Sequence, residues 1–125
     1  MIGWMFPSRV FLCDDANGYR KLVRAVLEPE GMDIVGEACD GQECMDKAAD
    51  ARPDLVLLDV NMPKVGGWQA LPRLREQLPD AKIVMLSTAP LGDQAEQVTR
   101  LGADAYVQKP RSVFDLPSVL RAAVG

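Results

Sequence analysis

Apolar residues along this chain fall into five short runs. VFLC at 10 to 13, MDIVGEA at 32 to 38, LVLL at 55 to 58, KIVML at 82 to 86 and DAYV at 104 to 107 are rich in Val, Ile and Leu. Between the runs the apolar period lengthens. Leu22, Val23, Val26 and Leu27 share one helical face, as do Leu71, Leu74 and Leu78, then Val98 and Leu101, then Leu116, Leu120 and Ala123. Cys44, Ala48 and Ala49 make a weaker stripe between Gly41 and Arg52. Gly31 and Gly102 stand where helix ends are expected, and Ser112 suits an N-cap. Strand alternating with helix in this way predicts an α/β domain on a parallel sheet with right-handed crossovers. Helices on both faces account for strands that read as continuous apolar runs. Pro72 and Pro117 each remove an N–H from a helical stretch. Pro72 predicts a kink or a delayed start, and Pro117 is tolerated if its helix begins at about Leu116.

Composition narrows this to one domain with one core: 125 residues, 48% hydrophobic and 26% charged, a balance that argues against disorder. No apolar run approaches the roughly 20 residues that span a membrane. Residues 1–8 are apolar, but too short for a secretory core and without a basic flank, and they read as a tail ahead of a domain at 9–125. A net charge of −4 disfavours a nucleic-acid surface, which needs clustered Lys and Arg. Of the three cysteines, Cys13 reads as a core residue, and an odd count without metal spacing suggests a reducing compartment. The absence of histidine removes His-based triads and most zinc sites.

The polar residues at the strand ends carry the chemistry. The first run ends in Asp14-Asp15, the third in Asp59, the fourth in Ser87-Thr88 and the fifth in Lys109-Pro110. In a parallel sheet these ends meet at the carboxyl edge, where open α/β sheets bind ligands. Solvated strand ends explain any one of these residues, but three acids in one crevice repel one another and call for a cation. Mg²⁺ takes oxygen ligands, typically one or two carboxylates beside phosphate oxygens. A carboxylate is also a competent nucleophile toward phosphorus, and phosphoryl transfer needs mainly positioning and charge neutralisation, which a metal and a lysine supply.

The pieces LCDDA, LLDVNMPKVGG, VMLSTA and DAYVQKP, in that order and each at a strand end, resemble the receiver domains of two-component response regulators over about residues 9 to 124. The resemblance implies a flavodoxin-like, doubly wound fold with strand order 2-1-3-4-5. It implies that Asp59 is the phosphoacceptor, that Asp14 and Asp15 are the acidic metal pair, and that Asn61 offers a backbone carbonyl to Mg²⁺. Ser87 matches the switch hydroxyl, Tyr106 the switch aromatic, and Lys109 the lysine that pairs with the phosphoryl group. Pro110 follows Lys109 through what is often a cis bond, and Gly67 matches a loop glycine. Thr88 stands where the family commonly has a small residue, and Gly66 where an Asp caps the next helix.

The implied activity is phosphoryl transfer to Asp59 from a histidine kinase or phosphotransfer protein in the cytoplasm, with no metabolite turned over. A homodimer or effector would meet the fourth helix, fifth strand and fifth helix, and neither nucleic acid nor membrane is bound directly. The alternative is a degenerate receiver that docks partners without phosphorylation, for which Thr88 is the only support. A haloacid-dehalogenase-like phosphatase needs an acid where Asn61 stands, and an FMN carrier needs a phosphate loop that does not follow the first strand. The end at Gly125 fits either a stand-alone receiver or one parted from an effector domain.

Overall fold

The structure is a computed structural model and describes residues 9–124; the tail expected at 1–8 lies outside the described residues, as does Gly125. Five parallel strands, β1 (Arg9–Cys13), β2 (Asp33–Ala38), β3 (Leu55–Asp59), β4 (Lys82–Ser87) and β5 (Ala105–Gln108), form one sheet in the order β2-β1-β3-β4-β5. They alternate with helices α1 (Asn17–Leu27), α2 (Gly41–Ala51), α3 (Gly67–Gln77), α4 (Ala95–Leu101) and α5 (Leu116–Val124). The expected doubly wound α/β fold is therefore present, with the expected strand order. Short 3₁₀ turns lead into α4 and α5 and follow α1.

The period-2 pleat sorts the strand residues onto two faces. Phe11, Cys13, Val56, Leu58, Ile83 and Met85 point to one face, where they pack with Cys44 and Ala48 of α2 and Ala70, Leu71 and Leu74 of α3. Val10, Leu12, Leu55, Leu57, Val84 and Leu86 point to the other, with Val23 and Leu27 of α1 and Leu116 and Leu120 of α5. Both faces are covered, so β3 is buried from end to end. The sheet edges are less covered: β2 and β5 are only partly buried. The β1–β2 register slips between Val10 and Phe11, and Gly36 of β2 makes room for the Phe11 ring, which a Cβ there would meet at 2.6 Å.

Gly31 and Gly102 adopt left-handed φ values of 87° and 100° at helix ends, and the Ser112 side chain accepts from the Phe114 N–H. Helix α5 begins at Leu116, which places Pro117 in its first turn as its missing N–H requires. Four sequence expectations are corrected. Leu22 does not share the buried face of α1; it is 52% exposed, and the stripe runs through Tyr19, Val23 and Leu27. Ala49 faces solvent, leaving Cys44 and Ala48 as the core stripe of α2. Pro72 neither starts nor breaks α3, which runs through it; the proline is exposed, so water can reach the backbone it leaves unpaired. The Lys109–Pro110 bond is trans, since the described residues contain no cis peptide.

The cysteines also differ from expectation. Cys13 is a core residue as read, but it is joined to Cys44 by a disulfide across 31 residues, with Cα atoms 6.1 Å apart. Cys39 is free and exposed. The disulfide runs against the reducing compartment that the odd cysteine count suggested. The pairing has no signature in residue spacing, because it follows from α2 lying against the end of β1.

Two glycines set the loops beside the strand ends. A Cβ on Gly67 would meet the Asp59 carbonyl oxygen at 2.2 Å, and one on Gly41 the Val65 carbonyl oxygen at 2.3 Å. Both clashes are with backbone, which cannot swing aside. Gly67→Ala should therefore destabilise the domain by about 1–3 kcal/mol, the range for forced overpacking. Urea denaturation checks this, and an unchanged midpoint would show that the loop after Asp59 yields freely.

Candidate functional site

Each site residue is delivered by the end of a strand. Asp14 follows β1, and its backbone N–H donates to the Ala38 carbonyl of β2 at 3.0 Å. One Asp14 oxygen accepts from the Ala16 N–H at 2.8 Å, which turns the chain into α1. Asp15 is the exposed neighbour. Asp59 is the last residue of β3, paired with Leu86 of β4 and only 6% exposed. Its Oδ1 accepts a long 3.4 Å bond from the Asn61 N–H. Ser87 ends β4, is 1% exposed, and accepts from the Ala89 N–H at 3.1 Å. Lys109 follows β5, tied to β4 by its N–H bond to the Ser87 carbonyl.

These positions bring the chemistry together. Asp14, Asp15 and Asp59 each present a carboxylate oxygen, all within 4.8 Å of one another. The Lys109 Nζ lies 2.9 Å from Asp14 Oδ2 and 3.7 Å from Asp59 Oδ1. Burial and then the Asp14 charge push the Asp59 carboxyl up to about 6, against the pull of Lys109 and the Asn61 N–H. Burial pulls the Lys109 ammonium down, but its hydrogen bond to Asp14 and the charges of Asp59 and Asp14 outweigh that and hold it above its ordinary value. A single lysine thus leaves the acid cluster under-compensated.

The cluster fits a hard divalent cation. All its donors are oxygens, and opposite ligands of an octahedral Mg²⁺ are about 4.2 Å apart, so a small inward turn of the side chains brings the three oxygens onto one ion. The elevated Asp59 carboxyl is the electrostatic mark of the same need.

Tyr106 lies on β5, away from the acids. Its hydroxyl donates to the Ala89 carbonyl at 2.8 Å, and its ring stacks on Trp68 of α3 with centroids 6.2 Å apart. The Trp68 Nε1–H donates to Gln94 Oε1 ahead of α4. Thr88 is exposed, and its carbonyl accepts from Gln108. Gly66 leaves α3 without a side-chain N-cap, and Gln69 accepts from the Gly66 N–H instead.

Sequence reasoning missed three residues at the site. Trp68 is one. Arg20 is another: it donates to the Asp14 carbonyl and pairs with Glu37 at 2.8 Å. The third is Tyr19, whose ring lies 4.3 Å from the Lys109 Nζ. Tyr19 was detectable, because it precedes Val23 by four residues on the buried face of α1. The contact of Trp68 with Tyr106 depends on the approach of α3 to β5, which no local pattern encodes.

The elevated Asp59 carboxyl makes a signed prediction. Between about pH 4 and 6 the native state holds a proton that the unfolded state has released, so ionising Asp59 costs native stability as pH rises through that window. In metal-free buffer Asp59→Asn should stabilise the domain by roughly 3 kcal/mol at about pH 8, with the gain vanishing below about pH 4. Thermal melts across pH check this; a pH-independent gain would assign the effect to packing.

Comparison with known proteins agrees with this geometry. The family model described as response regulator receiver domain matches residues 10–121. The transcriptional regulatory protein PdtaR of Mycobacterium tuberculosis H37Rv is 38% identical over 118 residues, covering 94% of this chain and 57% of that protein. Chemotaxis protein CheY of Thermotoga maritima is 32% identical over 105 residues, covering 82% of this chain and 86% of that one. The solved structure of chemotaxis response regulator CheY4 of Vibrio cholerae matches with a TM-score of 0.83 at 28% identity, covering 95% of this chain and all of that one (100%). The chain therefore spans about half the length of the mycobacterial relative and most or all of the two chemotaxis proteins. By sequence and fold together, it belongs to the response regulator receiver domains.

Proposed function

We propose that this domain accepts a phosphoryl group on Asp59 from a phosphohistidine on a kinase or phosphotransfer protein, with Mg²⁺, and relays the change to a partner-binding face. The observation that carries the reading is the under-compensated cluster of Asp14, Asp15 and Asp59 beside Lys109. With its carboxyl titrating at about 6, Asp59 is mostly ionised at neutral pH and available as a nucleophile. One of its oxygens attacks phosphorus, an O–P bond forms, the donor's N–P bond breaks, and the bond pair stays on the imidazole nitrogen. Attack of water on the same phosphorus later restores the carboxylate. The domain catalyses only its own modification.

Asp14, Asp15 and Asp59 would hold the ion through carboxylate oxygens, and Asn61 through its backbone carbonyl. Bound there, Mg²⁺ neutralises charge on the phosphoryl oxygens. Lys109, 2.9 Å from Asp14 and 3.7 Å from Asp59, would reach a phosphoryl group on Asp59 by a short swing of its ammonium. Ser87 turns from the Ala89 N–H to donate to a phosphoryl oxygen, a charge-assisted bond. Ala89 links this move to Tyr106, because its N–H serves Ser87 and its carbonyl serves the tyrosine hydroxyl. The affected surface is α4, β5 and α5, where a second copy or an effector would dock. No helix among the described residues is long and apolar enough to cross a membrane, and a cytoplasmic setting goes with a kinase donor.

Incubation with acetyl phosphate and Mg²⁺ should add one acid-stable, base-labile phosphoryl group, seen by intact mass, and Asp59→Asn should abolish it. With beryllofluoride and Mg²⁺ the amide shifts should extend along residues 87–110 and into α5 while α2 stays nearly silent. Labelling of the variant would move the acceptor elsewhere, and shifts confined to the site would leave an acceptor without a switch.

A further inference from the structure

The Lys109 ammonium has a third neighbour besides its two acids. It sits over the face of the Tyr19 ring, 4.3 Å from the centroid, well inside the reach of a cation–π contact. Tyr19 belongs to the first turn of α1, so the contact joins the helix after Asp14 to the loop after β5. Its hydroxyl is buried and makes no hydrogen bond among the described residues. A buried tyrosine normally pairs its hydroxyl, and leaving one unpaired costs free energy. What the structure sets against the lysine is the ring face, not the hydroxyl.

We propose that Tyr19 is a positioning residue for Lys109, its ring holding the ammonium in the crevice while the lysine passes from Asp14 to the phosphoryl group on Asp59. The proposal rests on the acceptor reading of Asp59 given above. A hydrogen bond to Asp14 is directional and must be given up when the lysine moves. Attraction to a ring face is broad in direction, so it persists through that small displacement. The ring also occupies space against the cation that water would otherwise fill, which limits how far the flexible stem can wander. Arg20, the next residue, already donates to the Asp14 carbonyl, Asn17 and Glu37, so its guanidinium is committed there.

The ring contact is readable without metal or phosphoryl donor. A ring face this close should shift the Lys109 Hε resonances upfield by its ring current, and Tyr19→Phe should keep that shift while Tyr19→Leu loses it. In the acetyl phosphate reaction the Leu variant should lose about 10-fold in maximal labelling rate, the size of a desolvated cation–π contact, with Mg²⁺ affinity unchanged. The Phe variant should restore the rate. Random-coil Lys109 shifts in the native protein would overturn the contact, whether or not the Leu variant folds. A folded Leu variant, checked by circular dichroism, that labels at the native rate would overturn the role, as would a Phe variant as slow as Leu. Failure of the native protein itself to label, with the ring-current shift present, would instead overturn the acceptor reading and with it the role, while leaving the contact standing.

Discussion

The arrangement of this domain's functional end depends on one ammonium shared between two carboxylates. Lys109 comes from the last strand of the sheet, Asp14 from the second in spatial order and Asp59 from the third, and the lysine bonds the first acid while standing 3.7 Å from the second. One positive charge stands against three negative ones, and burial followed by the Asp14 charge raises the Asp59 carboxyl despite the lysine. A site in this condition gains from a divalent cation. On the proposed reading, the lysine and the cation together would meet the negative oxygens of a phosphoryl group. The imbalance that raises the Asp59 carboxyl is the same one that a bound cation would relieve.

The rest of the fold holds that imbalance in place. Strict alternation along β1, β3 and β4 sends successive residues into two separate apolar layers, which fixes the register and hence which residue emerges at each strand end. Gly67 lets α3 begin directly against the Asp59 carbonyl, and Gly41 lets α2 begin against the loop after β3. Arg20 holds the Asp14 carbonyl from α1, and Arg75 on α3 gathers the Gly102, Leu78, Pro79 and Ala81 carbonyls and Asp104 behind β4 and β5. The Tyr106–Ala89–Ser87 chain then spans from the buried strand end to the outer face, with Trp68 bracing the tyrosine.

Much of this was legible in the sequence because the sheet imposes it. Five apolar runs, and the polar residues that end four of them, were enough to place Asp14, Asp59, Ser87 and Lys109 at one edge. The helix ends at Gly31 and Gly102 and the start of α5 at Leu116 were readable from local backbone chemistry. Features that depend on how elements lean on one another were not. Leu22 sits one position off the buried stripe of α1 and faces solvent, since its neighbour Val23 already fills the core position. The Cys13–Cys44 disulfide and the Trp68–Tyr106 stack join elements distant in the chain, and neither residue type at those positions signals its partner. Tyr19 was readable as part of the core stripe, but its contact with Lys109 was not, since from sequence the ring looks like ordinary packing.

The central claim is that Asp59 sits in a buried, under-compensated acid cluster that a divalent cation relieves. The most direct test is a carbon-13 NMR titration of the Asp59 side-chain carboxyl, with and without Mg²⁺. Without metal the midpoint should lie at about 6. With Mg²⁺ it should fall below its metal-free value, because the cation favours the ionised form. A metal-free midpoint in the ordinary carboxylate range near about 4, unmoved by Mg²⁺, would contradict the account.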